Sequence, residues 1–295
     1  MSESILVTLD GDVLDPDVPF LYADDLAAVR GDGIFETMLL RDGRVCRVDA
    51  HLERLVRSAA MLSLPAPDLD RCRSAIETAA KAWTASARED AEGVIAEGAL
   101  RLVYTRGRES AGHAGVPTAY VTVSGVSDRV HTARAEGVSV VTLDRGFSID
   151  LASAAPWQLL GAKTLSYATN MAALRHAAAE GFDDVIYLSS EGVVLEGPRS
   201  SVVAVEGDTL VTPPPEAGIL TGTTQQAAFE LAEREGWRTQ IRVLRPADLI
   251  DADSFWLVSS VTLAARVTSL NGYVTPVSPD ADKFSDLVHR AVIGD

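Results

Sequence analysis

Runs of strand length follow one another along this chain without the strand–helix–strand rhythm that a parallel, doubly wound sheet requires. Residues 5–9 are followed by 33–40, and Asp42-Gly43, both tolerant of positive φ, turns that run into 44–48 as a hairpin. Two helices are predicted next. Asp49 is placed to cap the first, whose apolar positions Leu52, Leu55, Val56, Ala59 and Leu62 recur at helical spacing. The second carries Leu69, Cys72, Ile76, Ala79 and Trp83 on one face. Three β-rich runs, 100–105, 118–126 and 137–143, complete the first half.

Residues 144–156 are small and irregular and read as a connection. Beyond them a helix is predicted over 166–180, then hairpins of 185–188 with 193–196 and of 202–205 with 210–212. A Pro-rich loop leads to a helix at 224–235, and β-runs follow at 240–244, 255–260 and 262–270. Strands and helices are mixed without regular alternation, so the fold class is α+β. At 295 residues the length suits two domains, expected at 1–146 and 147–295.

Charge and apolar patterning narrow the function. With a net charge of -16 the chain is poorly suited to displacing counterions from nucleic acid. No stretch reaches the roughly 18 apolar residues of a membrane span. The opening MSESILVTLDGDV lacks the basic and apolar regions of a signal peptide, and Cys46 and Cys72 show no CxxC spacing. The expectation is a cytoplasmic chain with reduced core thiols, no nucleic-acid partner and no membrane. The five histidines show no paired spacing, so no metal is expected.

Only three of the 26 basic residues are lysine: Lys81, Lys163 and Lys283. An ε-amine can lose its proton and attack a carbonyl, which arginine cannot do. Lys81 and Lys283 sit in polar helical surroundings. Lys163 follows Trp157-Gln158-Leu159-Leu160-Gly161-Ala162 and immediately precedes the predicted helix, whose positive end disfavours an ammonium. By residue type alone the plainer reading, one of three lysines that must fall somewhere, is favoured. Glu196, before the Gly197-Pro198 turn, can meet a protonated ring nitrogen or be a solvated turn residue. The run from Gly218 to Thr224 opens into a helix and suits a phosphate or an ordinary N-cap. His51, Arg54 and Ser58 share a helix face away from the leucines, by default a solvated one.

Amine, carboxylate, phosphate cradle and a separate arginine are together the parts of a pyridoxal-phosphate site. Their order resembles the fold-type IV pyridoxal-phosphate enzymes, the class IV aminotransferase family that includes branched-chain and D-amino-acid aminotransferases and 4-amino-4-deoxychorismate lyases. The resemblance runs from about Asp24 to Val267. It rests on Gly31-Asp32-Gly33-Ile34-Phe35-Glu36-Thr37, His51-Leu52-Glu53-Arg54-Leu55, Lys163-Thr164-Leu165-Ser166-Tyr167-Ala168-Thr169-Asn170, Glu196-Gly197 and Leu220-Thr221-Gly222-Thr223-Thr224. It implies a two-domain fold like that of D-amino-acid aminotransferase, an active site between the domains, pyridoxal 5'-phosphate as cofactor and a homodimer. It also implies that the second domain carries Lys163 as the Schiff-base lysine. Glu196 is then the partner of the pyridine nitrogen. Arg54, Thr223, Thr224 and Ser260 hold the phosphate, and Tyr167 reaches the phenolic oxygen.

The departures bear on substrate. Gln225 stands where the family has arginine, and Ala264 where aminotransferases often have glutamate. The D-amino-acid enzyme's carboxylate arginine falls at Ala111, leaving Arg30, Arg106 and Arg108 as candidates for the substrate carboxylate. The resemblance therefore implies a lyase that converts 4-amino-4-deoxychorismate to p-aminobenzoate and pyruvate for folate synthesis. The alternative is an aminotransferase using D- or branched-chain amino acids with a 2-oxo acid. Phe35-Glu36-Thr37 looks more like the aminotransferases.

Overall fold

A computed structural model describes residues 4–86, 96–114, 116–275 and 281–294. The chain forms two compact units, one of residues 1–127 with 162–167 and one of residues 128–161 with 168–295.

The first unit contains β1 (Ile5–Thr8), β2 (Val13–Leu14), α1 (Leu26–Arg30), β3 (Gly33–Arg41), β4 (Arg44–Val45), α2 (Val48–Met61), α3 (Leu69–Ser86), β5 (Gly98–Thr105) and β6 (Ala119–Gly125). Its six-stranded sheet, in the order β2-β1-β6-β5-β3-β4, is antiparallel throughout. Asp42 and Gly43, at φ 50 and 71, make the predicted hairpin turn. Alternation then sorts the central strands. Ile34, Glu36, Met38, Leu100, Leu102, Val121 and Val123 share one buried face, on which α2 and α3 pack. Phe35, Thr37, Arg101 and Val103 share the other. Asp49 is not the cap: α2 starts one residue earlier, behind Arg47 in the left-handed region, and Asp49 instead pairs with Arg73 at 2.7 Å.

The second unit contains α4 (Asp128–Glu136), β7 (Val138–Asp144), α5 (Leu151–Ala154), α6 (Ala168–Ala179), β8 (Asp184–Leu188), β9 (Ser201–Glu206), β10 (Thr209–Thr212), α7 (Thr223–Arg234), β11 (Arg238–Ile241), α8 (Pro246–Asp251), β12 (Ser254–Ser259), β13 (Leu263–Leu270), β14 (Tyr273–Val274) and α9 (Ala281–Ile293). A mixed sheet runs β11-β10-β9-β12-β13-β7-β8, with β14 on β13. Val140, Ile186, Val202, Val211, Phe255 and Leu257 lie at the centre of its core.

The division falls before α4, earlier than the 146/147 boundary expected from loop composition. The reason is pairing: β7 lies parallel to both β13 and β8, so it belongs to the second sheet. Lys163 also changes sides, because residues 162–167 pair with β3 and belong to the first unit. Among the described residues no helix is long and apolar enough to cross a membrane.

Candidate active site

Lys163 is not at a helix start. α6 begins at Ala168, and the lysine lies in an extended segment bridged to β3 through Thr164 and Ile34. Phe35 N–H donates to the Lys163 carbonyl at 3.1 Å, Leu165 N–H to the Gly33 carbonyl at 2.8 Å, and Lys163 N–H to Ser58 Oγ at 3.2 Å. This seat explains the glycines of the Gly31-Asp32-Gly33 motif. A Cβ on Gly33 would lie 2.7 Å from Leu165 Cδ1 and 2.9 Å from the Tyr104 carbonyl, and one on Gly31 would lie 2.7 Å from Ser166 Oγ. The ammonium end is fixed as well: Lys163 Nζ lies 4.4 Å from the Phe35 ring centroid, a cation–π contact. Tyr167 meets the same ring edge-on, at 5.5 Å between centroids.

Behind this seat is a buried charged cluster. Glu36 projects from β3 onto the helix-covered face, where Arg54 Nε donates to its Oε1 at 2.9 Å and Nη2 to its Oε2 at 2.6 Å. His51 Nδ1 lies 2.7 Å from Oε2. Burial alone would raise the Glu36 carboxyl, but the Arg54 charge and the hydrogen bonds outweigh it and hold it at about 2. The carboxylate accepts only, so His51 Nδ1–H is the donor. Burial pushes the His51 imidazole down, against the pull of Glu36. The face of His51, Arg54 and Ser58 is therefore turned inward, not solvated, with exposures of 1%, 5% and 2%. The sequence signal was Glu36 itself, a carboxylate at core parity between Ile34 and Met38.

Each of the three substrate-side arginines already has a carboxylate. Arg30 pairs with Glu109 at 2.6 Å, Arg108 with Asp24 at 2.8 Å, and Arg106 with Asp32 at 2.6 Å. Arg106 also donates to the Leu62 and Ser63 carbonyls at 2.8 and 3.1 Å, which makes it a clamp between segments. Arg101, which sequence reasoning passed over, is exposed on β5 with its guanidinium carbon 5.5 Å from the Phe35 ring centroid. A groove of about 590 Å³ near β1 and β6 is lined by Ile5, Leu6, Phe20, Leu21 and Tyr120 among others; its walls hold no charged residue or histidine, which leaves it outside the chemistry.

In the second unit Glu196 follows a turn at Gly192 that the hairpin expectation anticipated, though only the Leu188–Val194 bridge forms there. Tyr187 N–H donates to the Glu196 carbonyl at 2.9 Å, and the Glu196 carboxylate accepts from Leu220 N–H at 3.1 Å. Asn170 fixes the next turn, donating to the Pro198 carbonyl at 3.0 Å and accepting from Arg145 at 2.8 Å and Tyr187 Oη at 3.1 Å. The Leu220–Gly222 loop that Glu196 anchors delivers the start of α7. Gly222 occupies the N-cap and supplies no side-chain cap to the first-turn N–H groups. Thr223 and Thr224 are buried there, and the Thr223 and Ser260 hydroxyls are 3.2 Å apart. A Cβ at Gly222 would fill this turn, lying 2.3 Å from Ser201 Oγ. Among the described residues no group of three His, Cys, Asp or Glu could hold a metal.

Pyridoxal phosphate needs a primary amine, a carboxylate for its ring nitrogen and donors for its phosphate. The residues fit: a seated lysine, a carboxylate held by a backbone N–H, and a helix start whose cap carries no side chain, with hydroxyls beside it. The molecule is a pyridoxal-phosphate-dependent enzyme. The chain belongs to the class IV aminotransferase family, whose profile (Amino-transferase class IV) matches residues 33–270. It is 55% identical to a bifunctional aminodeoxychorismate lyase / D-amino acid transaminase of Mycobacterium tuberculosis, covering 99% of this chain and 100% of that protein. Among solved structures it is similar to a hypothetical aminotransferase from M. tuberculosis in a PLP-bound form and in a form with α-ketoglutarate and PMP. Each has 55% identity, a TM-score of 0.93 and 99% of both chains covered. A fold IV transaminase from Curtobacterium pusillum superposes with a TM-score of 0.89 at 39% identity, covering 98% of this chain and 97% of that one.

Proposed function

We propose that this enzyme is an aminodeoxychorismate lyase, releasing p-aminobenzoate and pyruvate, and that the same residues also support D-amino-acid transamination. The observation that carries the reading is the end-to-end similarity to a relative described as having both activities. Ala264 supports the lyase half: the position is buried against the β12–β13 ladder and holds no carboxylate.

In this reading Lys163 binds the cofactor covalently through Nζ, and Glu196 keeps the ring nitrogen protonated. Arg54, Thr223, Thr224 and Ser260 hold the phosphate, and Tyr167 meets the phenolic oxygen. Bound pyridoxal phosphate supplies an electron sink for the pair left when a bond at the amine-bearing carbon breaks. Lys163 Nζ, displaced by the substrate's own amine, removes the proton from that carbon. In the lyase reaction the C–O bond to the enolpyruvyl group then breaks, the ring becomes aromatic, and Lys163 protonates the leaving fragment to pyruvate. A homodimer, on the family resemblance, and a cytoplasmic location, in keeping with free, buried Cys46 and Cys72, complete the proposal.

Borohydride reduction of the reconstituted enzyme is expected to place the cofactor label on Lys163, and Lys163→Ala to lower turnover at least ~10³-fold. Wild-type enzyme given aminodeoxychorismate is expected to release p-aminobenzoate. Turnover of D-alanine with 2-oxoglutarate but no p-aminobenzoate would overturn the lyase half.

A further inference from the structure

We propose that Asn170 is a positioning residue for the Glu196 carboxylate, fixing the turn on which Glu196 stands. The inference rests on Glu196 as the partner of the cofactor's ring nitrogen, and it gives a task to the last residue of the lysine motif, which the cofactor reading leaves idle. The approach to Glu196 is secured within the second unit. Its carbonyl accepts from Tyr187 N–H at 2.9 Å, and Leu195 N–H donates back to the Tyr187 carbonyl at 2.9 Å, which sets the register against β8. Its carboxylate accepts from Leu220 N–H at 3.1 Å. Leu195 and Ile219, the residues before these two, are buried in one apolar cluster with Ala177, Val185 and Tyr187. Past Glu196 the chain turns, and a bridge between Gly197 and Ser200 closes the turn on itself. Asn170, in the first turn of α6, ties that turn down: its Nδ2 donates to the Pro198 carbonyl at 3.0 Å.

The residue type is specific to the task. While Asn170 donates to Pro198, its Oδ1 accepts from Arg145 Nη1 at 2.8 Å and from Tyr187 Oη at 3.1 Å. An amide offers donor and acceptor in one plane; a carboxylate only accepts, and an aliphatic side chain does neither. Both donors are themselves anchored. The Arg145 guanidinium carbon lies 4.4 Å from the Tyr187 ring centroid, and Arg145 N–H donates to the Leu188 carbonyl at 2.7 Å. The amide plane is therefore set by β8 and by the chain leaving β7 before it reaches Pro198. A hydrogen bond weakens steeply with distance and angle, so a turn free to shift by about 1 Å forfeits the alignment of its carboxylate.

The test compares the binding of pyridoxal phosphate with that of its 1-deaza analogue, in which C–H replaces the ring nitrogen, by equilibrium dialysis against the full-length enzyme stripped of cofactor. The analogue keeps the aldehyde and the phosphate and removes what Glu196 holds in this reading. Borohydride labelling of Lys163 is verified first. Wild type is expected to prefer pyridoxal phosphate on the order of 10- to 100-fold, the worth of a charge-assisted hydrogen bond. If the label is absent from Lys163, or wild type shows no preference, the cofactor reading fails and the proposal falls with it. Where wild type shows the preference, Asn170→Ala is expected to reduce it about 10-fold, weakening pyridoxal phosphate and leaving the analogue unchanged. Asn170→Asp keeps both accepted bonds, with its charge met by Arg145, and loses the donation to Pro198; it is expected to match Asn170→Ala. Each preference is internal to one protein, so a general loss of stability moves both ligands together, and either variant carries the test if the other fails to fold. An unchanged preference in Asn170→Ala, an equal weakening of both ligands, or a wild-type preference in Asn170→Asp would overturn the proposal.

Discussion

Glu36 places a carboxylate at complete burial in the middle of β3, and such a charge persists only when paired. Its partners come from α2, fifteen and eighteen residues on, which is why Arg54 reads as a surface residue from helical spacing alone. Periodicity separates two faces of a helix but does not say whether the polar one meets solvent. The family resemblance identified Arg54, whereas its counter-charge Glu36 emerged only from the structure, although a carboxylate at core parity between Ile34 and Met38 was there to be read. Glu36→Gln keeps the shape and removes the charge, leaving a buried guanidinium with a neutral acceptor. The expected cost is about 3–5 kcal/mol in urea unfolding of the apoenzyme. Pyridoxal phosphate, which brings an anion back, is expected to stabilise the variant more than wild type. Equal stabilisation of both would separate Arg54 from the phosphate.

At the scale of elements, the β3–β4 and β9–β10 hairpins and the long amphipathic helices were legible because turn chemistry and apolar stripes are local. α4 was not: its sequence, DRVHTARAE, is polar all round and buries only Ala133, so there is no stripe to find. The end of β5 at Thr105-Arg106-Gly107 shows the opposite problem: Arg106 reads from the sequence as a candidate for the substrate carboxylate, but its turn has a structural meaning. Gly107 has φ 86, and a Cβ there would lie 2.2 Å from the Val116 carbonyl oxygen. Its own carbonyl accepts from Leu26 N–H at 2.8 Å, and its N–H donates to Thr105 Oγ1 at 2.9 Å. The turn thus ties α1 to the end of β5 and aims Arg106 at Asp32. Gly107→Ala meets both backbone strain and a carbonyl that cannot rotate away. It is expected to cost about 1–3 kcal/mol, read as a lower Tm by calorimetry, because strain of this size is typical of forced positive φ. A variant as stable as wild type would mean that the turn relaxes and that Arg106 is not held by it.

The whole molecule draws on residues distant in sequence to build each unit, and this hid the domain boundary. Loop composition marks flexible stretches, but β7 is assigned by whom it pairs with, and the lysine segment by a bridge to a strand 130 residues earlier. The two units also differ in their titrating cores, with opposite signs. In the first, His51 is held below its ordinary 6.5 and Glu36 below its ordinary 4.5. The unfolded chain binds those protons first, so stability present at neutral pH declines as pH falls below 6.5 and further below 4.5. In the second, burial raises Asp184 from 3.8 to about 6, despite Arg129 and Arg199 at 3.4 and 3.5 Å. The folded state takes up that proton first, so stability rises as pH falls from about 6 toward 3.8. Hydrogen exchange compared at pH 7.5 and pH 5, expressed as protection factors, is expected to show protection falling in β3 and α2 and rising in β8. Asp184→Asn mimics the protonated form, and is expected to abolish the rise in β8 while leaving the fall in β3 and α2 intact. A parallel decline in both units would sink the assignment of opposite signs to these two buried clusters.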